Sequence, residues 1–496
     1  MTMDPRTPVL VGVAAVQQRV DQPGGGLDAV ELTARAAGAA AEDSGAPAGG
    51  TKLLGSVDRV LIPRGMWGPG DPGRRIAERY GAASARTLVA ELGVLQQTLL
   101  TRAITGIVAG DTDVALVAGG EAAYRDRRLR GTGLPSMAKP LPNVPPDQVL
   151  SPGGDILHRI EIDRGLPVPV RQYAILETAL RYAEGLTPEE HAAKVAELWS
   201  RFAARAVDNP DAWHRAPVAA EDIATASPAN PMLSLPYTRS HCSRSGVDQA
   251  AALILCSAEA AERFGVPRDR WVFPLAAAES NLMIPIVART PLHRSPGFAA
   301  VGAFLAAYTG VSAADATYVD LYSCFPAAVR MQMAELGLGE REDLTVTGGM
   351  PFAGGPLNSY VLHSTVAMAK ELRAGDAGAT GYVTCVSGMV TKQAGAVWSN
   401  APSDTPFHGE DLSARTTEAA TTCNVVGDYK GLGAVDGYTV ATGAGPDGAD
   451  LAIAVVAVPG ESRTVATTAN PDVVKAFGSG EWVGKHVHVN GAELAL

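Results

Sequence analysis

The sequence predicts an α/β fold built from two similar halves. Three observations carry this reading. Short apolar runs alternate with stretches of helical spacing, as in a sheet covered by helices on both faces. The same order of elements then occurs twice. A helix ending in Ala109-Gly110-Asp111 leads into the apolar run Val114–Gly120, and a helix ending in Ala374-Gly375-Asp376 leads into Gly381–Cys385. Within the first half, 124–239 is rich in arginine, proline and helical pattern and is much longer than an ordinary connection.

In chain order, the pattern predicts a buried strand over 8–13, an Ala-rich helix over 27–41 and a strand over 57–63. A short helix over 74–80, a strand over 87–92 and a helix over 94–109 follow. The run 113–119 is almost purely apolar, as a central parallel strand should be. The long middle stretch holds an arginine cluster (Arg125, Arg127, Arg128, Arg130), a proline-rich part (135–152) and helices near 168–184 and 187–207. The α/β pattern resumes with strands over 249–257 and 271–280, a helix over 298–309, a strand over 317–322 and a helix over 327–337. A Leu-Thr-Val-Thr strand (344–347), a helix over 361–374 and a strand over 381–386 complete it, followed by the apolar run 389–398. From about Pro406 the texture is short strands with glycine turns, read as a small all-β appendage over 410–496.

Composition narrows the function. The 496 residues are 46% hydrophobic and 19% charged, enough for a large core and two or three domains. A net charge of −11 argues against nucleic acid as the main partner. Five widely spaced cysteines without a Cys-x-x-Cys indicate neither a disulfide framework nor a zinc site, and they read as reduced thiols of a cytoplasmic protein. No signal peptide is visible. The most apolar run, 298–308, is shorter than the roughly 20 residues a bilayer span needs.

The stretch 348–360 stands out. Gly348, Gly349, Gly354 and Gly355, with Pro351 and Pro356, sit between the predicted 344–347 strand and a predicted helix. Such a loop lets backbone approach a ligand closely, and it feeds a helix N-terminus that favours negative charge. A tight strand-to-helix connection with no ligand accounts for the same glycines.

These residues resemble the thiolase superfamily. A thiolase Gly-Gly-x-x-x-x-Gly-His-Pro loop is matched by Gly348-Gly349 through Gly354-Gly355-Pro356, and Cys385 stands thirty residues beyond the histidine position, where thiolases carry the cysteine of a Cys-x-Gly motif. Tyr322-Ser323-Cys324-Phe325 resembles the family's Asn-Glu-Ala-Phe or His-Asp-Cys-Phe loop. Ser245–Ala252 resembles its Ser-Asp-Gly-Ala-Ala-Ala strand entry. Gly-Gly-Pro and a C-terminal appendage also occur in type-1 thiolase-like proteins. The resemblance implies a duplicated α/β/α/β/α core formed by 1–123 with 240–270 and by 271–405. It also implies a helical loop-domain insertion over 124–239 and an additional C-terminal β domain over 410–496.

The resemblance further implies an acyl-CoA ligand and acyltransferase-class chemistry. That chemistry needs an acyl-accepting cysteine, a loop histidine and a second cysteine. Here the first position falls on Gly93, the second on Gly355, and only Cys385 remains, in Cys385-Val386-Ser387-Gly388. Cys385 is either a small buried thiol or a general acid/base. Tyr322 stands at the thioester-oxygen position, and similar tyrosines occur in thiolase-like aldolases that cleave acyl-CoA side chains. His363, on the first turn after the loop, is a candidate substitute for the lost histidine. Arg239, His241, Arg244 and the Arg125–Arg130 cluster are candidates for CoA phosphates, while Gly348, Gly349, Gly354, Gly355, Ser387 and Gly388 are expected around the thioester. No His/Asp/Glu spacing suggests a metal. Three readings follow: an acyl-CoA-binding protein without conventional thiolase activity, a retro-aldolase using Tyr322 with a protein partner, or a non-catalytic CoA or lipid binder.

Overall fold

The computed structural model describes residues 3–133, 141, 143–339 and 341–496. Part of the expected proline-rich stretch (135–140 and 142) therefore lies outside the described residues. Among the described residues no helix is long and apolar enough to cross a membrane.

Two sheets form the core, and their topology repeats. In the first, Pro8–Gln17 pairs antiparallel with Asp248–Ser257, which pairs antiparallel with Val114–Ala122, which runs parallel to Arg59–Pro63. In the second, Phe273–Asn281 pairs antiparallel with Lys392–Ser399, which pairs antiparallel with Thr380–Ser387, which runs parallel to Tyr318–Asp320. The helix Gln96–Ala109 precedes the third strand of the first set, and Tyr360–Ala374 precedes that of the second. The α/β duplication is thus present in pairing as well as in order. The Ala-Gly-Asp echo is looser: Gly110 closes its helix at φ +83, whereas Gly375 sits at φ −82 against the Tyr318 hydroxyl.

The halves differ where the site lies. The first sheet continues through Arg86–Ala90 to a short strand Gln148–Leu150 from the middle stretch. The corresponding run of the second half, the expected strand 344–347, is not a strand. The buried Asp320 carboxylate accepts the N–H groups of Val346 (2.9 Å) and Thr347 (3.1 Å) and both threonine hydroxyls. Those donors are no longer available for a ladder, so a β-prone tetrapeptide becomes a cap around one carboxylate.

The middle stretch is mainly helical, dominated by Pro169–Ala183 and Pro188–Asp208, as its pattern predicts. The C-terminal part differs from expectation in two respects. His408–Asp411 belongs to the second core sheet, parallel to Phe273–Asn281. Beyond it, the helix Ser413–Ala419 packs on the same core sheet, where Ser280 and Thr416 hydroxyls share a hydrogen bond (2.7 Å), and the helix Pro471–Gly478 accompanies the β-sheet built on Lys430–Ala441, Leu451–Val458 and Ser462–Thr468, so the appendage is not purely β. This sheet is anchored to the insertion: Thr178 both donates to the Tyr438 carbonyl (2.9 Å) and accepts from its N–H (3.0 Å).

Candidate active site

The glycine loop is a packed connection whose donors are turned inward. Gly348 N–H donates to Thr345 Oγ1 (2.9 Å), Gly349 N–H to Thr347 Oγ1 (3.1 Å) and Met350 N–H to Ser323 Oγ (3.0 Å). Gly355 N–H donates to the Arg244 carbonyl (2.9 Å). The following helix spends its Val361 N–H on Gln96 Oε1 (2.7 Å). The anion cradle expected from the glycines is therefore corrected: the protein itself fills these donors. Gly348, Gly349 and Gly354 have φ of +94, +75 and +104, and a methyl group on each would fall within 2.4, 2.4 and 2.1 Å of Ala206, Phe202 and Gln249 respectively. Gly355 has no such constraint; its nearest neighbour would be the flexible end of Met350, 3.1 Å away. Glycine at position 355 is thus not imposed by the backbone.

The position expected for the nucleophile, Gly93, is filled differently. Gly93 has φ +99, and a Cβ there would lie 3.2 Å from Pro152 and 3.6 Å from Lys392 Nζ. Lys392 is 1% exposed and donates to the Gly93 carbonyl, which also accepts from Ser387 Oγ (3.2 Å). Burial lowers the Lys392 pKa. Ser387 therefore serves this carbonyl. Gly388, at φ +64, offers its own carbonyl to the Tyr173 hydroxyl (3.0 Å).

Cys385 and Tyr322 do come together. Burial pushes the Cys385 thiol up to about 12, although the N–H groups of Gln96 and Gln97 at the start of a helix pull the other way. Tyr322 packs edge-on against Tyr360, ring centres 5.6 Å apart. Burial and the adjacent Cys324, Cys385 and Tyr360 raise its hydroxyl well above the ordinary range, with Gln96 opposing. Both groups are neutral hydrogen donors at neutral pH. His363 does not join them, correcting its expected role as a substitute histidine. It lines a small cavity with Asn209, Asp211, Thr347, Gly354 and Tyr360, and its Nε2 has no protein partner. Burial, with Lys370 adding to it, holds it at about 3, so it is neutral.

A basic cluster sits next to the loop. Arg239 and Arg244 are exposed, and neither forms an ion pair among the described residues. Burial of part of Arg244, then Arg19 and Arg239 facing it, lowers its pKa, and His214 is lowered by burial, Arg244 and Arg19. Arg244 N–H also donates to Met350 O (3.1 Å), so the cluster is tied to the glycine loop at two points. The expected Arg125–Arg130 group is partly spent elsewhere: Arg125 is buried against Asp126, and Arg128 pairs with Asp21 and stacks over Tyr124. His241 is buried and accepts from Thr238 N–H (3.1 Å), which removes it from the phosphate candidates.

Sequence reasoning missed Arg19, Gln96 and Lys392. Of these only Lys392 left a signal, a lone charge in the apolar run 389–398.

No protein-family model and no curated protein sequence matches the chain. Solved structures do. A monomeric SCP2-thiolase-like protein type 1 from Mycobacterium smegmatis is 28% identical, with TM-score 0.82, over 99% of this chain and 98% of its own. The Ltp2–ChsH2(DUF35) aldolase (16% identity, TM-score 0.59) and an acetyl-CoA acetyltransferase from Syntrophomonas wolfei (19%, 0.57) each cover 80% of this chain and 98% and 99% of their own. The last two establish a shared fold.

Proposed function

We propose that this chain, which shares the thiolase fold and is similar throughout its length to an SCP2-thiolase-like protein, binds an acyl-CoA thioester without passing the acyl group through a cysteine. The observation that carries the proposal is at Gly93: the acyl-accepting position has no side chain, a positive φ, and a buried lysine beside it. Cys385 cannot substitute, because a thiol held near 12 is almost entirely protonated at neutral pH. Arg239, Arg244 and Arg19 are the groups that fit the cofactor's phosphates, since guanidiniums facing one another gain from an anion between them. Gln96 and the Tyr322 hydroxyl fit the thioester oxygen as neutral donors.

Titration calorimetry with coenzyme A and acetyl-CoA tests the binding. Replacing both Arg239 and Arg244 by Ala should weaken it by about tenfold or more; absence of binding to the native chain at millimolar ligand would refute the reading. Mass spectrometry after incubation with acetyl-CoA should show no acyl group on any of the five cysteines. A single acyl-cysteine would overturn the central claim.

Retro-aldol cleavage is the second reading, favoured by Tyr322 lying beside Cys385 and Gln96. It would use Tyr322 as a proton donor, because burial opposes the phenolate a base requires. The aldolase neighbour contains a DUF35 partner, and a protein partner belongs to this reading. Tyr322→Phe should abolish cleavage of a β-hydroxyacyl-CoA; unchanged cleavage would remove Tyr322 from the reaction.

A further inference from the structure

We infer that Lys392 is an amine nucleophile occupying the place of the missing cysteine, and that it forms a Schiff base with the ketone of an oxo-acid or oxo-acyl substrate. Four observations converge. Lys392 Nζ lies 3.6 Å from where a side chain at Gly93 would begin, so amine and lost nucleophile share one space. Its side chain is buried, and no carboxylate pairs with it among the described residues. Among the described residues its one hydrogen-bond partner is the neutral Gly93 carbonyl. Finally, Ser387 lies directly across the hairpin from Lys392, and Cys385, two residues before it, shares its face. A hydroxyl that shares the Gly93 carbonyl with the amine thus lies beside it, and a thiol occupies the same face of the hairpin.

A buried ammonium without a counter-ion is costly, and lysines in such surroundings give up their proton readily. Burial lowers the pKa of this amine accordingly, raising the fraction present as free base. Carboxylates do not offset the effect, whereas surface lysines such as Lys194 and Lys370 are paired with Glu184 and Asp211. Pro152 approaches Gly93, but Gly153 and Gly154 beside it are exposed, and a Cβ on Gly153 would meet nothing within 4 Å.

The step balances without a further reactant. The unprotonated Nζ adds its lone pair to the ketone carbon, and the carbonyl oxygen leaves with the two N–H hydrogens as one water. A C=N bond replaces C=O. The inference rests on the acyl-CoA reading only for delivery of a CoA-linked ketone, so a CoA-free probe separates the two.

The full chain is incubated with acetoacetyl-CoA or with free acetoacetate, reduced with cyanoborohydride and mapped by mass spectrometry. Lys392 should carry the reduced adduct well above every other lysine, because burial leaves more of this amine unprotonated. Label from acetoacetate alone, with none from acetoacetyl-CoA, would support the amine and refute the CoA reading. Label spread over surface lysines, or Lys392 labelled only after denaturation, would overturn the inference. Lys392→Arg keeps a donor for the Gly93 carbonyl and should fold while losing the adduct. A folded Lys392→Arg chain labelled as strongly as the parent would also overturn it.

Discussion

Gly348→Ala should destabilise the protein by roughly 3 kcal/mol or more, combining the cost of φ +94 for a non-glycine residue with that of overpacking. The new methyl group would lie 2.4–2.5 Å from the Cβ, Cα and N of Ala206. Two of those atoms are backbone of the long helix Pro188–Asp208, so no side-chain rotation relieves the clash. Gly355→Ala is the internal contrast. It adds the same atom seven residues further on, at negative φ, where the Met350 side chain can turn away. That change should cost less than about 1 kcal/mol. Urea unfolding of the two variants gives the comparison. Equal losses would mean that the loop glycines are not distinguished by packing, and the assignment of Gly355 as a vacated histidine position would lose its structural basis.

Arg330→Met should cost roughly 3–5 kcal/mol at pH 7, because it strands a buried carboxylate. Glu177 is fully buried between insertion and core. It accepts from Arg330, from His191 (2.8 Å) and from the Tyr237 hydroxyl. Burial by itself would raise its pKa, but Arg330, His191 and Tyr237 outweigh that and hold it at about 2. A carboxyl lowered in the folded state stabilises fully above its unfolded value of about 4.5, and the contribution is lost as pH falls towards about 2. The deficit of the Arg330→Met variant should therefore be largest at pH 7 and narrow between pH 4.5 and 2. Unfolding measured at pH 7 and pH 3 checks this; a deficit independent of pH would mean that Arg330 acts through packing alone. His363, held near 3, adds an acid sensitivity that begins earlier. A histidine lowered in the folded state loses its contribution as pH falls from about 6.5.

Much of the architecture was legible along the chain. The strand 114–122 is buried on both faces, and the almost purely apolar run 113–119 said so. The helix Ala29–Asp43 begins where Asp28 can accept from Val30 and Glu31 N–H groups. The run 344–347 misled because its β propensity is local, whereas the group that redirects it, Asp320, lies more than twenty residues earlier. His363 misled for a related reason. Its position on the first turn after the loop was right, but which way a helical side chain faces depends on what packs against that helix.

The sequence by itself determined that no cysteine precedes Cys242, that positions 93 and 355 are glycine, and that Gly354-Gly355-Pro356 lies thirty residues before Cys385. Those are facts of composition and spacing, and no folding event alters them. Only the tertiary structure decided which of the remaining groups meet. It joined Tyr322, Cys385 and Gln96, set His363 apart, gathered Arg19, Arg239 and Arg244 beside the glycine loop, and brought Lys392 to Gly93 from 299 positions away in the chain. Contacts over such separations follow from sheet register and helix packing, which a one-dimensional pattern specifies only through the whole core at once.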